Sequence, residues 1–242
     1  MSSAASELLL VNSMITGNEA FGWRSRGTGG GIHSQGSIVT IMNNTIAGNR
    51  ARDYTGPGEP AGGQGGGIRC LSNMGVASSI IRDNRPDQMW PHEDPTVQIT
   101  YTNIEDGWPG VGNIDADPCF AEVGYWDPNG TPDDANDDFW VDGDYHLKSQ
   151  AGRWDPNVGR WTIDDATSLC IDAGDPMSPI GYEPFPNGGR INMGAYGGTV
   201  EASKSYFGEP LCETIVAGDV NGDCRVDFED FRLMALHWLE AR

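Results

Sequence analysis

An isoleucine–asparagine pattern recurs along the first half of the chain and constrains its fold more than any other feature. Three segments place an isoleucine three residues before an asparagine, and the equivalent isoleucines are Ile15, Ile46 and Ile81. A weaker fourth copy contains Ile104, and the intervals between the four isoleucines are 31, 35 and 23 residues. The sequence therefore predicts a repeated structural unit that tolerates insertions of variable length.

Such a unit is too short to bury a core alone, so each copy must stack on its neighbours and pair its strands with theirs in parallel. Three glycines precede Ile32 and Ile68 and permit tight corners. An asparagine at a fixed place in each unit can adopt a left-handed backbone and bond the next unit. The alternative is a β-sandwich rich in glycine and asparagine. The aliphatic residues predicted to point inward are Ile32, Val39, Ile41, Ile46, Ile68, Val76, Ile80 and Ile81.

These repeats, over about residues 7–120, resemble the right-handed parallel β-helix of the pectate-lyase-like superfold. The resemblance implies an all-β protein whose residues 1–111 form three or four coils of a single-stranded, right-handed parallel β-helix. No capping element precedes residues 7–11, and the first residues lack the basic segment of an export signal. We therefore expect an N-terminally incomplete stack whose upstream coils and export signal are missing.

Four strings after residue 112 form a second pattern: NIDADPCF at 113–120, GDYHL at 143–147, CIDAGDP at 170–176 and NMGAYGG at 192–198. In this order they resemble the C-terminal closing region of secreted bacterial β-helix proteins of the planctomycete type. The resemblance implies that residues 112–205 finish the stack, with aromatic residues covering its last coil. Within this region the acidic loop 127–138 has two interpretations, a calcium site or a solvated loop.

Oxygen-bearing side chains occupy positions 1, 3, 5, 9 and 12 of a twelve-residue loop at 219–230. This spacing suits Ca²⁺, which takes six to eight oxygen ligands at about 2.3–2.6 Å. Cys224 replaces the usual glycine, and an acidic surface turn is the alternative. The predicted ligands are Asp219, Asn221, Asp223, Arg225 through its backbone carbonyl, Asp227 and Asp230. An amphipathic helix is predicted to follow, with apolar residues Phe228, Phe231, Met234, Ala235, Trp238 and Leu239.

Residues 217–239 resemble a single dockerin type I repeat, an EF-hand-like module that docks secreted proteins onto cohesins. The resemblance implies calcium as cofactor, residues 206–242 as an attachment tail, and a cohesin-like or cell-surface partner. Two features depart from the family. Dockerins carry two repeats, and loop positions 10 and 11 hold Phe228 and Glu229 where hydroxyl residues are usual.

The balance of 15 basic and 35 acidic residues gives a formal net charge of −20. This charge argues against nucleic acid and anionic membranes as partners, and it suits an extracellular or cell-surface setting with divalent cations. No apolar run reaches membrane-spanning length. Cys212 and Cys224 flank the entry to the calcium loop, which suggests a disulfide. Cys119 and Cys170 have two interpretations, a second disulfide or buried free thiols.

No nucleophile elbow, phosphate loop or zinc-protease motif occurs. His33 and Arg69 follow equivalent glycine runs, so they are predicted to line one outer face with Glu105 beyond them, as a carbohydrate-facing groove or as solvated strands. Two hypotheses follow. The first is a non-catalytic, secreted or cell-surface β-helix protein with a calcium-binding attachment tail. The alternative is the C-terminal part of a polysaccharide lyase or glycoside hydrolase acting on extracellular polysaccharide.

Overall fold

The computed structural model describes residues 6–22, 26–53, 62–91, 96–205, 218 and 226–238. Short β-strands dominate these residues, and the helix that they contain lies in the last range. The predicted all-β class is therefore confirmed.

The first half of the chain passes four times through the same set of sheets, and each passage is called a coil below. Coil 1 contains β1 (Ser6–Val11), β2 (Met14–Thr16) and β3 (Glu19–Gly22). Coil 2 contains β4 (Ile32–Ser34), β5 (Ser37–Met42), β6 (Thr45–Ala47) and β7 (Arg50–Asp53). Coil 3 contains β8 (Ile68–Cys70), β9 (Met74–Ala77) and β10 (Ile80–Arg82). Coil 4 contains β11 (Met89–Pro91), β12 (Val97–Thr100) and β13 (Asn103–Ile104).

Equivalent strands of successive coils pair in parallel. The sheet orders are β1-β5-β9-β12, β2-β6-β10-β13 and β4-β8-β11, and β3 pairs with β7. Strands that follow one another in sequence thus lie in different sheets, as parallel pairing with a long connection requires. The coils stack in sequence order, and the β-sandwich alternative is wrong.

The predicted register of the isoleucine repeat is confirmed. Ile15 pairs with Ile46, Ile46 with Ile81, and Ile81 with Ile104. Ile46, Ile81 and Ile104 are fully buried in one core with the inward residues of the other sheets. Ile80 is the exception among the predicted inward residues. It is buried in a second core outside the coils, because neighbouring residues of a strand face opposite sides.

Each coil turns its corners with residues in the left-handed backbone conformation. Before the isoleucine repeat these residues are Asn12, Asn43, Ser78 and Tyr101, with φ between 47° and 51°. Two residues after each repeated isoleucine, the left-handed residues are Gly17, Gly48, Asp83 and Asp106, with φ between 56° and 69°. Two of these residues are asparagines, but the repeated asparagines Asn18, Asn49 and Asn84 do not have positive φ, so the prediction of a left-handed backbone at the repeated asparagine is wrong.

An asparagine ladder joins the coils from inside the second corner. The Asn49 Oδ1 accepts a hydrogen bond from the backbone N–H of Asn18 at 3.0 Å, and the Asn84 Oδ1 accepts one from Asn49 at 3.0 Å. The amide groups also bond each other, with Asn49 Nδ2 donating to Asn84 Oδ1 at 2.9 Å. This confirms the prediction that each asparagine bonds the next coil.

Three antiparallel strand pairs follow the coils in residues 112–205, called the closing region below. Strand β14 (Phe120–Glu122) pairs with β17 (Asp144–Leu147), β15 (Tyr125–Asp127) with β16 (Phe139–Val141), and β18 (Arg153–Asp155) with β19 (Arg160–Thr162).

The closing region begins on the last coil, where Ile114 pairs with Asn103, and it then lies along the flank of the stack. Asn12 Nδ2 donates to the carbonyl of Ala195 at 2.9 Å, and Asn43 Nδ2 donates to the carbonyl of Asn192 at 2.9 Å. The N–H of Gly194 donates to the carbonyl of Ser78 at 2.9 Å. The closing region therefore covers the side of the coils as well, while the expected aromatic cover of the last coil stays a prediction and Trp108 packs against the coil core. The physical reason is that outward residues of the coils, Ile80 among them, are apolar and need covering.

The predicted C-terminal helix is confirmed as α1 (Phe228–Trp238), while Leu239 lies outside the described residues. Its described apolar side chains are exposed, with Phe228 at 89%. No helix within the described ranges is long and apolar enough to span a membrane.

Candidate functional site

His33 and Arg69, predicted to line one outer face, lie side by side in the sheet β4-β8-β11. His33 pairs with Arg69, and Arg69 pairs with Trp90 on the next coil. Arg69 Nη1 donates to the carbonyl of Trp90 at 3.4 Å, and the Trp90 side chain is 40% exposed. An imidazole, a guanidinium and an indole thus form one row across three coils, with about 4.8 Å between strands.

Glu105 does not join this row. It follows β13 in another sheet, where its Oε2 accepts hydrogen bonds from the Asp83 backbone N–H at 2.8 Å and from Gln88 Nε2 at 2.6 Å. Arg85 Nη1 lies 3.6 Å from the same oxygen. Glu105 therefore belongs with Asp83 and Arg85 at a different place on the stack.

A cavity of about 420 Å³ adjoins that second place. Its size falls within the range of sites that hold small organic ligands. Three arginines, one carboxylate and an indole supply its polar and aromatic groups. Its lining residues are Gly48, Asn49, Arg50, Ala51, Arg52, Gly62, Gly63, Asp83, Arg85, Pro86 and Trp126.

The β15–β16 hairpin forms one wall of this cavity and is fastened to the coils by Arg50 and two tryptophans. The guanidinium of Arg50 lies 3.5 Å from the ring centroid of Trp126 and donates to Asp138 Oδ2 at 2.6 Å. Trp126 Nε1 donates to the carbonyl of Gly48 at 2.8 Å. Trp140 lies flat on the backbone, since a Cβ at Gly17 or Gly48 would stand 2.0 Å from its ring. Specific contacts with the coils therefore hold the hairpin wall in place.

One carboxyl that lines the cavity, Asp83, has a second carboxyl beside it, Glu105 of the next coil, which does not line the cavity. Asp83 is partly open to solvent, yet partial burial raises the pKa of its carboxyl, and the negative charge of Glu105 raises that pKa further. The positive charges of Arg82 and Arg85 lower the pKa of Asp83 and so offset part of this rise. The Arg85 side chain is 64% exposed and available to a ligand. A carboxyl with a raised pKa beside a second carboxylate is an arrangement that general acid catalysis can use.

Sequence reasoning missed the tryptophan wall. The signal was present, because Trp-Asp-Pro-Asn occurs at residues 126–129 and again at 154–157. Both copies build a hairpin with a cross-strand tryptophan pair, Trp126 with Trp140 and Trp154 with Trp161. The ring centroids are 5.5 Å and 5.7 Å apart in edge-to-face contact.

The predicted calcium loop is described only at its C-terminal end. Asp227 and Asp230 lie within the described residues, while Asp219, Asn221, Asp223 and Arg225 lie outside them. Asp230 is buried, and its Oδ2 accepts the backbone N–H of Asp227 at 2.7 Å. Since α1 begins at Phe228, this contact is one half of a capping box that fixes the start of the helix.

Cys119 and Cys170 are free thiols, which corrects the suggested disulfide and agrees with the alternative left open by the sequence. Cys170 is buried in the second core, where Asn103 Nδ2 donates to its Sγ at 3.0 Å. Burial raises the pKa of the Cys170 thiol to about 11. A thiol held in this way serves as a core residue. Cys212 and Cys224 lie outside the described residues.

The carboxylates of the acidic loop 127–138 are engaged separately. Asp127 accepts the N–H of Asn129 at 2.8 Å, Thr131 donates to Asp137 at 2.7 Å, and Asp138 binds Arg50. Throughout the part of the chain that the structure describes, no group of three or more His, Cys, Asp or Glu residues is placed to hold a metal ion. Asp127, Asp137 and Asp138 thus have separate partners within the protein, and both interpretations of the loop stay predictions.

Comparison with known proteins assigns no relative. No protein-family model matches the chain, and neither a curated protein nor a solved structure is significantly similar to it. A function for this chain therefore has to be argued from its own residues.

Proposed function

We propose that this chain belongs to a secreted or cell-surface right-handed parallel β-helix protein. In this proposal it binds extracellular polysaccharide without cleaving it and attaches to a partner through a calcium-binding, dockerin-like tail. The observation that carries the binding function is the cavity at which Arg52, Arg85 and Asp83 meet the Trp126 wall.

The stacked coils support the β-helix. One chain supplies every strand of three parallel sheets, and it visits them in the same order in coils 2, 3 and 4. A solenoid of this kind presents long, regular outer faces, which suit extended ligands better than compact ones.

The chemistry of the two outer sites supports a saccharide ligand. Sugar hydroxyls pair with guanidinium and carboxylate groups, and the apolar faces of sugar rings pack on aromatic side chains. The cavity offers Arg85, Asp83 and Trp126, and the row of His33, Arg69 and Trp90 offers the same kinds of group. The row runs along the stack, so a polymer can contact several coils at once.

The spacing of the tail supports calcium-dependent attachment. Four of the five oxygen side chains in loop register precede α1, and the fifth, Asp230, lies in its first turn. The exposed Phe228 and Phe231 on α1 are suited to burial against a partner.

Binding is tested by affinity electrophoresis of the whole chain in gels that contain neutral or acidic polysaccharides. We expect retardation by at least one polymer, and about tenfold weaker binding for Arg85→Ala because a charged hydrogen bond is lost. Arg160→Ala, an exposed arginine on β19, is the matched control and should bind normally. Trp90→Ala tests the row separately. The proposed sites would be refuted if no polymer retarded the natural chain. They would also be refuted if Arg85→Ala and Trp90→Ala both bound as strongly as the natural chain.

The tail is tested by counting bound Ca²⁺ in equilibrium dialysis. Asp219→Ala should remove one Ca²⁺ per chain because position 1 of the loop is a direct ligand. Glu229→Gln, at a loop position that is not a predicted ligand, should leave the number unchanged. An Asp219→Ala chain that binds as much Ca²⁺ as the natural chain would show that the ligand assignment is wrong.

A second candidate function is polysaccharide cleavage, and the raised pKa of Asp83 beside Glu105 is the observation that favours it. Reducing-end and unsaturated-product assays on the polymers that bind test this candidate. Turnover that disappears in Asp83→Asn would replace the binding proposal with an enzymatic one. Binding without turnover supports the first proposal.

A further inference from the structure

A buried acidic centre lies in the closing region, away from the cavity and the row. Glu183 is 8% exposed, and its Oε1 accepts the backbone N–H groups of Asn192 at 2.8 Å and of Gly198 at 2.9 Å. Its other oxygen, Oε2, is buried and has no hydrogen-bond partner among the described residues. A buried carboxylate oxygen without a partner is rare in native proteins and requires an explanation.

A second unpartnered oxygen lies beside the same group of residues. Ser205 is buried, and its Oγ lies near enough to the Asp172 carboxyl to lower the pKa of that group without reaching full hydrogen-bond geometry with a described residue. Four buried side-chain nitrogen or oxygen atoms lack a partner in the described part of the chain, and Glu183 Oε2 and Ser205 Oγ are two of them. Asp172 lies next to both residues. Burial raises the pKa of its carboxyl, and the neighbouring Ser205 hydroxyl offsets this only in part.

The negative charge of this centre is poorly compensated by the protein. Burial first, and then the neighbouring charge of Asp172, raise the pKa of Glu183 to about 7, although the N–H groups of Asn192 and Gly198 act to lower it. The positive charge of Arg190 lowers the pKa of Asp172. However, the Arg190 guanidinium donates its hydrogen bonds to the carbonyls of Gly174 at 2.5 Å and Ala173 at 3.0 Å rather than to a carboxylate. A buried carboxyl, Glu183, beside a half-buried one, Asp172, therefore needs either a proton or a further positive charge.

We propose that Glu183 Oε2, a carboxylate oxygen of Asp172 and Ser205 Oγ bind one hard divalent cation, with Ca²⁺ as the best match. The donors are all oxygens, which suits Ca²⁺ and disfavours zinc, whose sites use nitrogen and sulfur. Ca²⁺ also accepts carbonyl and water oxygens to complete its shell. This site is independent of the loop at 219–230. It would tie the segments around residues 172, 183 and 205 together.

The test uses the full chain carrying Asp219→Ala, so that the tail does not contribute. Thermal unfolding is measured in EDTA and in CaCl₂ at pH 7.5. At a Ca²⁺ concentration of about 100 times Kd, Tm should rise by about 5–10 °C. Adding Glu183→Gln should abolish the rise, because the amide keeps the Oε1 contacts but removes the charged ligand. Glu122→Gln, an exposed glutamate of the closing region, is the control and should leave the rise intact.

Two results would overturn the inference. One is a Tm that does not respond to Ca²⁺ in the Asp219→Ala chain, which would mean that Glu183 is held as a neutral acid. The other is a response that survives Glu183→Gln. If Glu183→Gln does not fold, Ser205→Ala replaces it, and this variant should weaken the apparent Ca²⁺ affinity at least severalfold. An unchanged affinity in Ser205→Ala would also refute the ligand set.

Discussion

Asn49→Asp tests whether the asparagine ladder holds the coils together. Asn49 Oδ1 accepts two hydrogen bonds from Asn18, while Asn49 Nδ2 donates to the carbonyl of Ile15 at 2.7 Å and to Asn84 Oδ1 at 2.9 Å. Aspartate has the same shape, so packing is unchanged. It removes both donors and sets a negatively charged oxygen against two acceptors, all inside a buried site.

The magnitude follows from these contacts. Two lost hydrogen bonds cost about 1 kcal/mol each, and the loss of the Nδ2 donor to the Ile15 carbonyl adds about 1–3 kcal/mol, while Asn84 Oδ1 keeps the backbone N–H of Asn49. With an uncompensated buried charge, the total loss at pH 7 is about 3–5 kcal/mol. Burial raises the pKa of the new carboxyl above its unfolded value of about 3.9. The loss is therefore smallest below that pH, where the group is protonated in both states, and it grows as the pH rises through the folded-state pKa.

The assay is urea unfolding followed by tryptophan fluorescence at pH 3.5 and pH 7. Asn18→Asp is the matched control, because Asn18 stands at the exposed end of the same ladder and should lose only about 1 kcal/mol. Equal losses in the two variants, or an Asn49→Asp loss below about 1 kcal/mol at pH 7, would show that the ladder contributes little beyond its shape.

Two further predictions concern the coil core and the buried Glu183 carboxyl. Ile46→Ala should lower the free energy of unfolding by about 2–5 kcal/mol in urea titrations, because Ile46 is fully buried between Ile15 and Ile81. The control is Ile38→Ala, at a side chain that is 43% exposed, and it should cost less than about 1.5 kcal/mol. Equal costs would contradict the inward placement of Ile46. In EDTA, the stability of the natural chain should fall as the pH rises from about 4.5 to about 7, because the folded-state pKa of Glu183 is raised. Glu183→Gln should therefore match the natural chain at pH 4 and exceed it by about 3 kcal/mol at pH 8, and a variant that is not more stable at pH 8 would refute the raised pKa.

The coil stack was predictable from sequence because its determinants repeat. Ile46 and Asn49 occupy the same offsets as their equivalents in other coils, so the pattern carries the register as well as the strands. The assignment of Ile80 shows where this reasoning stops. Burial follows from its aliphatic character, but Ile80 and Ile81 are adjacent in one strand, so only one of them can face inward.

The cavity was not predictable for a different reason. Arg50 and Trp126 are brought together by packing between regions that are far apart in sequence, and no local period relates them. Only the repeated Trp-Asp-Pro-Asn string signalled a hairpin, and that string does not indicate which surface the hairpin covers. The row of His33 and Arg69 was predictable from the sequence because both residues lie at equivalent positions of the repeat.

The contacts of the closing region also connect the proposed cation to the coils. The N–H of Asn192 donates to Glu183, and the carbonyl of Asn192 accepts from Asn43 at a left-handed corner of coil 2. Two residues further, Gly194 bonds the corresponding corner of coil 3. A cation at Glu183 would therefore stiffen a segment that bonds successive corners of the stack. Slower amide hydrogen exchange at these corners in CaCl₂, but not in Glu183→Gln, is the expected consequence.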